Sequence, residues 1–412
     1  MVTSTSARKS LQTTLEVPTL RKAYYAQTLD DSKKGRKVAW CSNNIPAEIL
    51  DVMDVTSVFL ENYATVIAAK RLASGYCVAG EKKGFSQDVC GYARMLMGYL
   101  LARDEVPEAP YGGLAKPDFL LVNSYSCDSR LGWFTAMNRA LNLPLHVHDA
   151  PHQPDGACDL AANAEYTERE LRSLVAFLEE QTGNKYDPER LRKRLELSRQ
   201  TSEIMFDINE LRKAVPCPMG SADMFTAVWP AMYMVGTKEC EDFYQKLRAE
   251  VEERIAKGIG VVPEEKFRLM WSGIPFWYNM SLLNYVEDFG GVVAIEGFYR
   301  SRERRLPPQH DDPIKDMALR STRQRGFPSS VIASIDDLRD AVTEYKIDGV
   351  ILSFNPSCRL AYVSQTELQK SLEDRGVPTL GLECDMADER TYSEGQVKTR
   401  LDAFIERLLA KA

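Results

Sequence analysis

Short, continuously apolar runs recur along the chain in two groups, one in each half. The first group lies at 38–41, 55–60, 118–123 and 143–148, and the second at 267–271, 291–295, 349–354 and 379–382. Stretches with helical spacing separate these runs. Continuous apolar runs joined by helices are typical of parallel strands that are covered on both faces. We therefore predict an α/β fold with two doubly wound parallel-sheet domains of the Rossmann or flavodoxin type.

Two further segments carry only helical signals. Residues 1–37 are mainly polar, with Leu20 and Tyr24 at helical spacing, which predicts a packed arm. Residues 166–260 show helical spacing that is interrupted by a stop signal at Gly183. The predicted organisation is a helical N-terminal arm at 1–37, a first α/β domain at 38–165, a helical segment at 166–260 and a second α/β domain at 261–412.

The composition indicates a globular protein. Of 412 residues, 44% are hydrophobic and 27% are charged, with 52 basic and 59 acidic side chains and a net charge of −7. This acidic balance argues against a large nucleic-acid surface. No apolar stretch approaches the ~18 to 20 residues of a membrane span, and the N-terminus lacks the apolar core of a signal peptide. We expect no nucleic-acid partner, no membrane and a cytoplasmic location.

Three of the nine cysteines stand where a parallel-sheet fold places its chemistry. The phrases DFLLVNSYSC and GVILSFNPSC put Cys127 and Cys358 after an apolar strand in each half, at carboxyl ends where ligands bind. Cys90, in GFSQDVCGYAR, lies near a predicted helix start, where the helix dipole favours the thiolate. Each cysteine alone is more simply a packed thiol. Together, the three can converge from separate loops on one iron–sulfur cluster.

Two other groups invite a functional interpretation. The phrase HVHDAPH carries His146, His148 and His152 at a strand end. Alternating histidines suit a metal site, but a partly polar strand end is the simpler interpretation, and one imidazole as a proton donor is a third. An aromatic group around SGIP, which includes Trp277, predicts core packing first and a wall for an acyl or aryl group second.

Seven phrases, in order along the chain, resemble successive landmarks of the 2-hydroxyacyl-CoA dehydratase and benzoyl-CoA reductase family. They are ENYATVIAAKR, GFSQDVCGYAR, NSYSCDSRLGWF, TGNKYDPERL, EEKFRLMWSGIPFW, IDGVILSFNPSCR and CDMADERTYSEGQVKTRLDAFIE. The resemblance runs from about residue 38 to the C-terminus. Seven ordered phrases are far more specific as a set than any one of them.

The resemblance implies a 4Fe-4S cluster held at the matching positions Cys90, Cys127 and Cys358. Three protein ligands leave one iron open to a substrate, whereas a closed four-thiolate cluster suits plain electron transfer. In the family, the substrate is an acyl-CoA or aryl-CoA thioester, and a low-potential electron makes a ketyl-like radical from it.

The resemblance also implies two protein partners. A separate ATP-hydrolysing iron–sulfur activator supplies the electron. A homologous second subunit completes the enzyme, so we expect a heterodimer or, failing that, a homodimer. The sequence has no GxxxxGK(S/T) motif, which fits a subunit that receives electrons rather than one that energises them.

Glu61 and Asn43 occupy catalytic positions in the resemblance. Glu61, in LENYA, matches an active-site carboxylate that can move protons, and the alternative is an exposed glutamate at a helix start. Asn43, in WCSNNIP, stands where the dehydratases carry a hydroxyl residue, and an amide is a poor proton relay.

This departure at Asn43 and the tail CDMADERTYS favour an ATP-dependent aryl-CoA reductase of the benzoyl-CoA type as the first hypothesis. An (R)-2-hydroxyacyl-CoA dehydratase subunit is the second. A non-catalytic iron–sulfur electron carrier is the third.

Overall fold

A computed structural model describes residues 6–151, 160–300, 306–323 and 331–410. In this part of the chain the strands are β1 Val38–Cys41, β2 Thr56–Phe59, β3 Phe119–Asn123, β4 Leu145–His148, β5 Phe267–Ser272, β6 Gly291–Glu296, β7 Gly349–Phe354 and β8 Thr379–Glu383. The helices are α1 Val17–Lys33, α2 Ala47–Val52, α3 Leu60–Ala69, α4 Ala73–Lys82, α5 Gly91–Leu101, α6 Asp128–Leu141, α7 Leu160–Thr182, α8 Pro188–Leu211, α9 Ser221–Tyr233, α10 Lys238–Ala256, α11 Leu282–Tyr285, α12 Gly297–Arg300, α13 Pro313–Arg323, α14 Val331–Glu344, α15 Arg359–Glu373 and α16 Glu394–Leu409.

The two sheets are parallel, and their strands follow the same order. The first sheet has the order β2-β1-β3-β4, and the second has β6-β5-β7-β8. Ala39 pairs with Phe119 in the first sheet, and Leu269 pairs with Gly349 in the second, so the central crossover is equivalent in both. This is the strand order with which flavodoxin-like sheets begin. The predicted α/β fold with two parallel sheets is confirmed.

The central strands are continuously apolar because their two faces pack into different cores. Along β1, Val38 and Trp40 belong to one core, and Ala39 and Cys41 belong to another. Every residue of the central strands β1, β3 and β5 is buried, as is every residue of the edge strand β6, whereas the edge strands β4 and β8 are only partly buried. The predicted strand at 55–60 is shorter in the structure because Leu60 already begins α3.

The predicted arm and helical middle segment supply outer layers to both sheets. Leu171 and Leu191, on α7 and α8, pack in the core behind the first sheet. Phe225 and Leu247, on α9 and α10, pack against the second sheet together with Leu11 from the arm. The helical character of both segments is confirmed, while the domain boundaries stay a prediction. Within the described ranges, the chain contains no helix with the length and apolar character needed to cross a membrane.

A buried ion pair fixes the end of β6 against the middle segment. Glu296, the last residue of β6, and Arg212, directly after α8, both have side chains that are 0% exposed. Arg212 donates to Glu296 from Nη1 at 2.8 Å and from Nη2 at 2.9 Å, and Ser221 Oγ donates to it at 2.6 Å. Removing two charges from water costs free energy, and the two parallel hydrogen bonds between the guanidinium and the carboxylate offset that cost.

Replacing Glu296 with Ala should lower the free energy of unfolding by about 3–5 kcal/mol, because Arg212 is then buried without a counter-charge. Urea denaturation followed by circular dichroism measures the change. The control is Glu165→Ala on α7, whose ion pair with Arg169 is exposed and whose loss should leave the stability almost unchanged. Equal stabilities of the two variants would contradict the role given to Glu296.

Candidate active site

One cavity of about 600 Å³ lies at the carboxyl ends of both sheets. Its walls include Glu61 just after β2, Gly297 directly after β6, and residues from the loops that follow β1, β3, β5 and β7. Helices begin at these ends with their N–H groups directed outward, so parallel-sheet folds bind ligands there. The cavity is lined by the five residues that the sequence analysis assigned to the cluster and to catalysis, namely Asn43, Glu61, Cys90, Cys127 and Cys358.

Each predicted cysteine ligand stands at the start of a helix. Cys90, Cys127 and Cys358 are the residues directly before α5, α6 and α15. The first N–H groups of a helix lack partners within the helix and carry a partial positive charge. Three thiols and three positive helix ends therefore border the same cavity.

The surroundings of the thiols include groups that raise their pKa and groups that lower it. Burial raises the pKa of the Cys90 thiol, and repulsion from Cys358 and Cys127 raises it further. The backbone N–H of Ala93 lowers this pKa, although no cap hydrogen bond of regular geometry forms. Burial also raises the pKa of Cys127, while the charge of Arg130 lowers it. The raised pKa values favour the protonated thiols, so ionising them would require a positive charge nearby.

The arrangement of these thiols differs from that of a single-ion site. No group of three His, Cys, Asp or Glu side chains among the residues described is placed to hold one metal ion. The ligands of one tetrahedral ion lie about 4 Å apart, since metal–sulfur bonds are about 2.3 Å long. The ligands of an iron–sulfur cluster bind different irons and are farther apart. The three cysteines therefore border one cavity without forming a single-ion site.

Glu61 is buried at the start of α3, with 5% of its surface exposed. Its Oε2 accepts a hydrogen bond from the backbone N–H of Asn43 at 2.9 Å. Its Oε1 lies 2.6 Å from Arg130 Nε as an ion pair, although these atoms are not aligned as a hydrogen bond. Arg130 in turn donates to Asn123 Oδ1 at 3.0 Å. The alternative of an exposed helix-start glutamate is wrong, because this carboxylate is held in the cavity wall.

Asn43 orients its neighbours through two contacts. Its backbone N–H donates to Glu61, and its side-chain Oδ1 accepts a hydrogen bond from the Tyr233 hydroxyl at 3.2 Å. Burial raises the pKa of Tyr233 far above its usual value, and Tyr299 and Glu61 add to this shift. The phenol therefore stays protonated as a donor. Asn43 is therefore hydrogen-bonded to both Glu61 and Tyr233 in the cavity wall.

Several residues of the cavity wall were not predicted, although the sequence around some of them pointed to the site. Arg130 follows Cys127 by three residues in NSYSCDSRLGWF, a spacing that puts both on one side of a helix turn. Tyr92 lies in the same phrase as Cys90, and its hydroxyl accepts a hydrogen bond from Trp277 Nε1. Trp277 lines the cavity, as its second interpretation proposed.

The N-terminal arm forms part of the cavity wall through Lys9, Thr14 and Arg21. Asp223 on α9, which is 1% exposed, accepts hydrogen bonds from the Ser10 backbone N–H at 3.1 Å and from Thr14 Oγ1 at 2.8 Å. Burial lowers the pKa of Lys9 to about 8. The sequence predicted a packed arm but gave no sign that it reaches the site.

The predicted histidine group lies apart from these residues. His146 and His148 belong to the edge strand β4, and neither is among the described residues that line the cavity. Burial lowers the pKa of His148 to about 4, so its imidazole is neutral near pH 7. His152 lies outside the described residues. For the other two, the partly polar strand end is the interpretation that fits.

Comparison with known proteins identifies the family. The profile of a family described as 2-hydroxyglutaryl-CoA dehydratase, D-component, matches residues 42–408. The chain is 27% identical to the (R)-phenyllactyl-CoA dehydratase alpha subunit of Clostridium sporogenes, over 93% of this chain and 92% of that one. It is 26% identical to a benzoyl-CoA reductase subunit of Thauera aromatica, over 93% and 91%. It is 24% identical to the (R)-phenyllactyl-CoA dehydratase beta subunit of Clostridium sporogenes, over 60% and 65%. The chain therefore belongs to the 2-hydroxyacyl-CoA dehydratase and benzoyl-CoA reductase family, as its ordered phrases indicated.

Proposed function

We propose that this chain is the catalytic subunit of a 2-hydroxyacyl-CoA dehydratase, with a 4Fe-4S cluster on Cys90, Cys127 and Cys358 beside Glu61. The observation that carries the proposal is the convergence of three thiols and one buried carboxylate on a single cavity. The sequence placed an aryl-CoA reductase first, but the family profile and the alpha-subunit relative favour the dehydratase. Because the relatives are enzyme subunits, they argue against a plain electron carrier.

Within this proposal, the chain's own groups bind the substrate and handle its protons. A cluster with three thiolate ligands supplies single low-potential electrons and one open iron when it is bound. Dehydration removes a hydroxyl group and a hydrogen from neighbouring carbons, so the site needs a group that takes up a proton and passes it to the departing hydroxyl. Glu61 suits this role because Asn43 and Arg130 fix its carboxylate in the cavity wall.

The cavity walls favour an apolar acyl group. The ring of Phe225 lies 5.7 Å from that of Tyr299 and 6.1 Å from that of Trp277, and all three residues line the cavity. Flat aromatic walls pack well against aryl or alkyl groups. On the side of the arm, Arg21 Nε is buried without a hydrogen-bond partner among the described residues. A guanidinium there suits an anionic group of coenzyme A.

Two partners complete the proposal. The chain is similar to both the alpha and the beta subunit of one enzyme, and over a much larger share of the alpha subunit. Two subunits that are both similar to one chain are suited to pair about a pseudo-twofold axis. We therefore place this chain as the alpha-like member of a heterodimer, with an ATP-hydrolysing iron–sulfur activator as its electron donor.

Asn43 is the specific observation that keeps an aryl-CoA reductase as the second candidate. Its amide accepts from Tyr233 and offers no hydroxyl where the dehydratases carry one. An aromatic wall also suits an aryl ring, and one of the relatives is part of a benzoyl-CoA reductase.

A parallel assay separates the candidates. Anaerobic protein with its second subunit, the activator, ATP and a reductant is offered a phenyl-substituted 2-hydroxyacyl-CoA and benzoyl-CoA. We expect loss of water from the first thioester, measured by mass spectrometry of the enoyl product. Reduction of the benzoyl ring without loss of water from the other thioester would show that the protein is an aryl-CoA reductase and not a dehydratase. If the protein carried a cluster but turned over neither thioester, and neither changed its EPR spectrum, the electron carrier would be favoured.

Replacing Cys90, Cys127 or Cys358 with Ser should lower the iron and sulfide content of the anaerobically purified protein, because a hydroxyl is a poor substitute for a thiolate on iron. The matched control is Cys217→Ser. Cys217 is a fully buried thiol in a separate core, and its Sγ lies 3.3 Å from the Met219 carbonyl, which a serine hydroxyl can also reach. This control should keep its full iron content. Full iron in all three site variants would refute the ligand assignment.

Glu61→Gln should lower kcat by about 10²–10⁴-fold, the usual contribution of acid–base catalysis, while iron content stays at the wild-type level. The amide still accepts from the Asn43 N–H, but it can no longer take up a proton. Thermal melting, measured in parallel, reports any destabilisation by the unpaired Arg130. Glu165→Gln on the exposed face of α7 serves as the control. Wild-type kcat in a fully loaded Glu61→Gln protein would exclude Glu61 as the proton carrier.

A further inference from the structure

A single buried carboxylate joins the loops that carry Cys90 and Cys358. Asp385 lies after β8 and is 2% exposed. Its Oδ2 accepts a hydrogen bond from Ser357 Oγ, and this hydroxyl accepts one from the Gly91 backbone N–H at 3.1 Å. Gly91 follows Cys90, and Ser357 precedes Cys358. The chain of contacts therefore ties together two cysteine loops that are far apart in sequence.

The hydrogen bonds around Asp385 suit an ionised carboxylate. Its Oδ1 accepts from the backbone N–H groups of Ala387 and Asp388 at 2.8 and 2.9 Å. Ser357 Oγ donates to Asp385 Oδ2. A carboxylate that accepts at both oxygens and donates at neither carries a negative charge.

The carboxylate lies directly against the backbone next to Cys90. A Cβ atom at Gly91 would lie 2.7 Å from Asp385 Oδ1, which is closer than such atoms can approach. Glycine at this position therefore allows the contact. As a result, the charge is held at the base of the Cys90 loop.

The neighbouring ion pairs do not cancel this charge. Arg94 lies 3.7 Å from Asp385, 2.8 Å from Asp388 and 2.7 Å from Glu81, and Arg390 lies 2.5 Å from both Glu81 and Asp388. Three carboxylates and two guanidiniums leave one net negative charge. The side chains of Arg94, Asp385 and Asp388 are at most 3% exposed, so water and salt screen this charge weakly.

We propose that Asp385 is a positioning residue that ties the Cys90 and Cys358 loops together and lowers the reduction potential of a cluster bound between them. Net charge near an iron–sulfur cluster is one of the factors that set its potential. A nearby negative charge disfavours the added electron, so the reduced cluster becomes a stronger one-electron donor. This inference rests on the proposed function, which requires low-potential electrons at the site.

The test is Asp385→Asn, which keeps the shape of the side chain and an oxygen acceptor but removes the charge. The midpoint potential of the cluster is measured in the anaerobic holoprotein by EPR-monitored redox titration, together with its iron and sulfide content. We expect a midpoint less negative than that of the wild type. The control is Asp402→Asn on α16, which accepts from Tyr285 away from the cavity and should leave the potential unchanged. An unchanged midpoint in a fully loaded Asp385→Asn protein would overturn the proposal.

A second variant keeps the proposal testable if Asp385→Asn loses iron. Glu81→Gln removes one charge at the margin of the same network, where the side chain is 17% exposed. It should shift the midpoint in the same direction by a smaller amount, and no shift would overturn the charge effect. These outcomes differ from a failure of the proposed function, in which the wild-type protein itself would bind no cluster.

Discussion

The common direction of parallel strands is the constraint on which the site depends. All strands of a parallel sheet present their carboxyl ends at one edge, and the helices that follow begin there with positive partial charges. In this chain both sheets turn that edge to the same cavity. Residues as distant in sequence as Cys127 and Cys358, which follow β3 and β7, are therefore brought to one cavity by topology, and the start of α5 adds Cys90. The helix ends suit thiolates and the negative charge of a metal–sulfur group.

The sequence was a good guide wherever a residue's role follows from its place on a strand or at a strand end. Continuous apolar runs predicted the eight strands seen in the described ranges, because burial on both faces leaves no room for alternation. The equivalent positions of Cys127 and Cys358 could be predicted because each cysteine follows the third strand, in chain order, of its sheet. Cys90 was identified through its helix start, and Glu61 through the family resemblance.

Contacts between distant segments could not be predicted in this way. The ion pair of Glu61 with Arg130 depends on how α3 and α6 are set side by side, which their own periodicity does not determine. Tyr233 reaches Asn43 from α9, a helix that had been described only as part of a helical segment. The arm is a similar case, because Asp223 holds it in the cavity wall through contacts that no local pattern reveals. Function was also harder to predict than fold, because the amide at Asn43 and the tail CDMADERTYS favoured a reductase, whereas the family profile and the alpha-subunit relative favour a dehydratase.

The charges around the cavity follow a common logic. Arg130 and three helix N-termini border the cavity, while Asp385 lies behind two of the cysteine loops. The proposed chemistry depends above all on the three thiols meeting at one metal group. Diffraction from anaerobically grown crystals at the iron absorption edge tests this directly. We predict one four-iron cluster bonded to the sulfur atoms of Cys90, Cys127 and Cys358, with no protein side chain on the fourth iron. Iron located elsewhere, or one of these sulfur atoms without a bond to iron, would contradict the account.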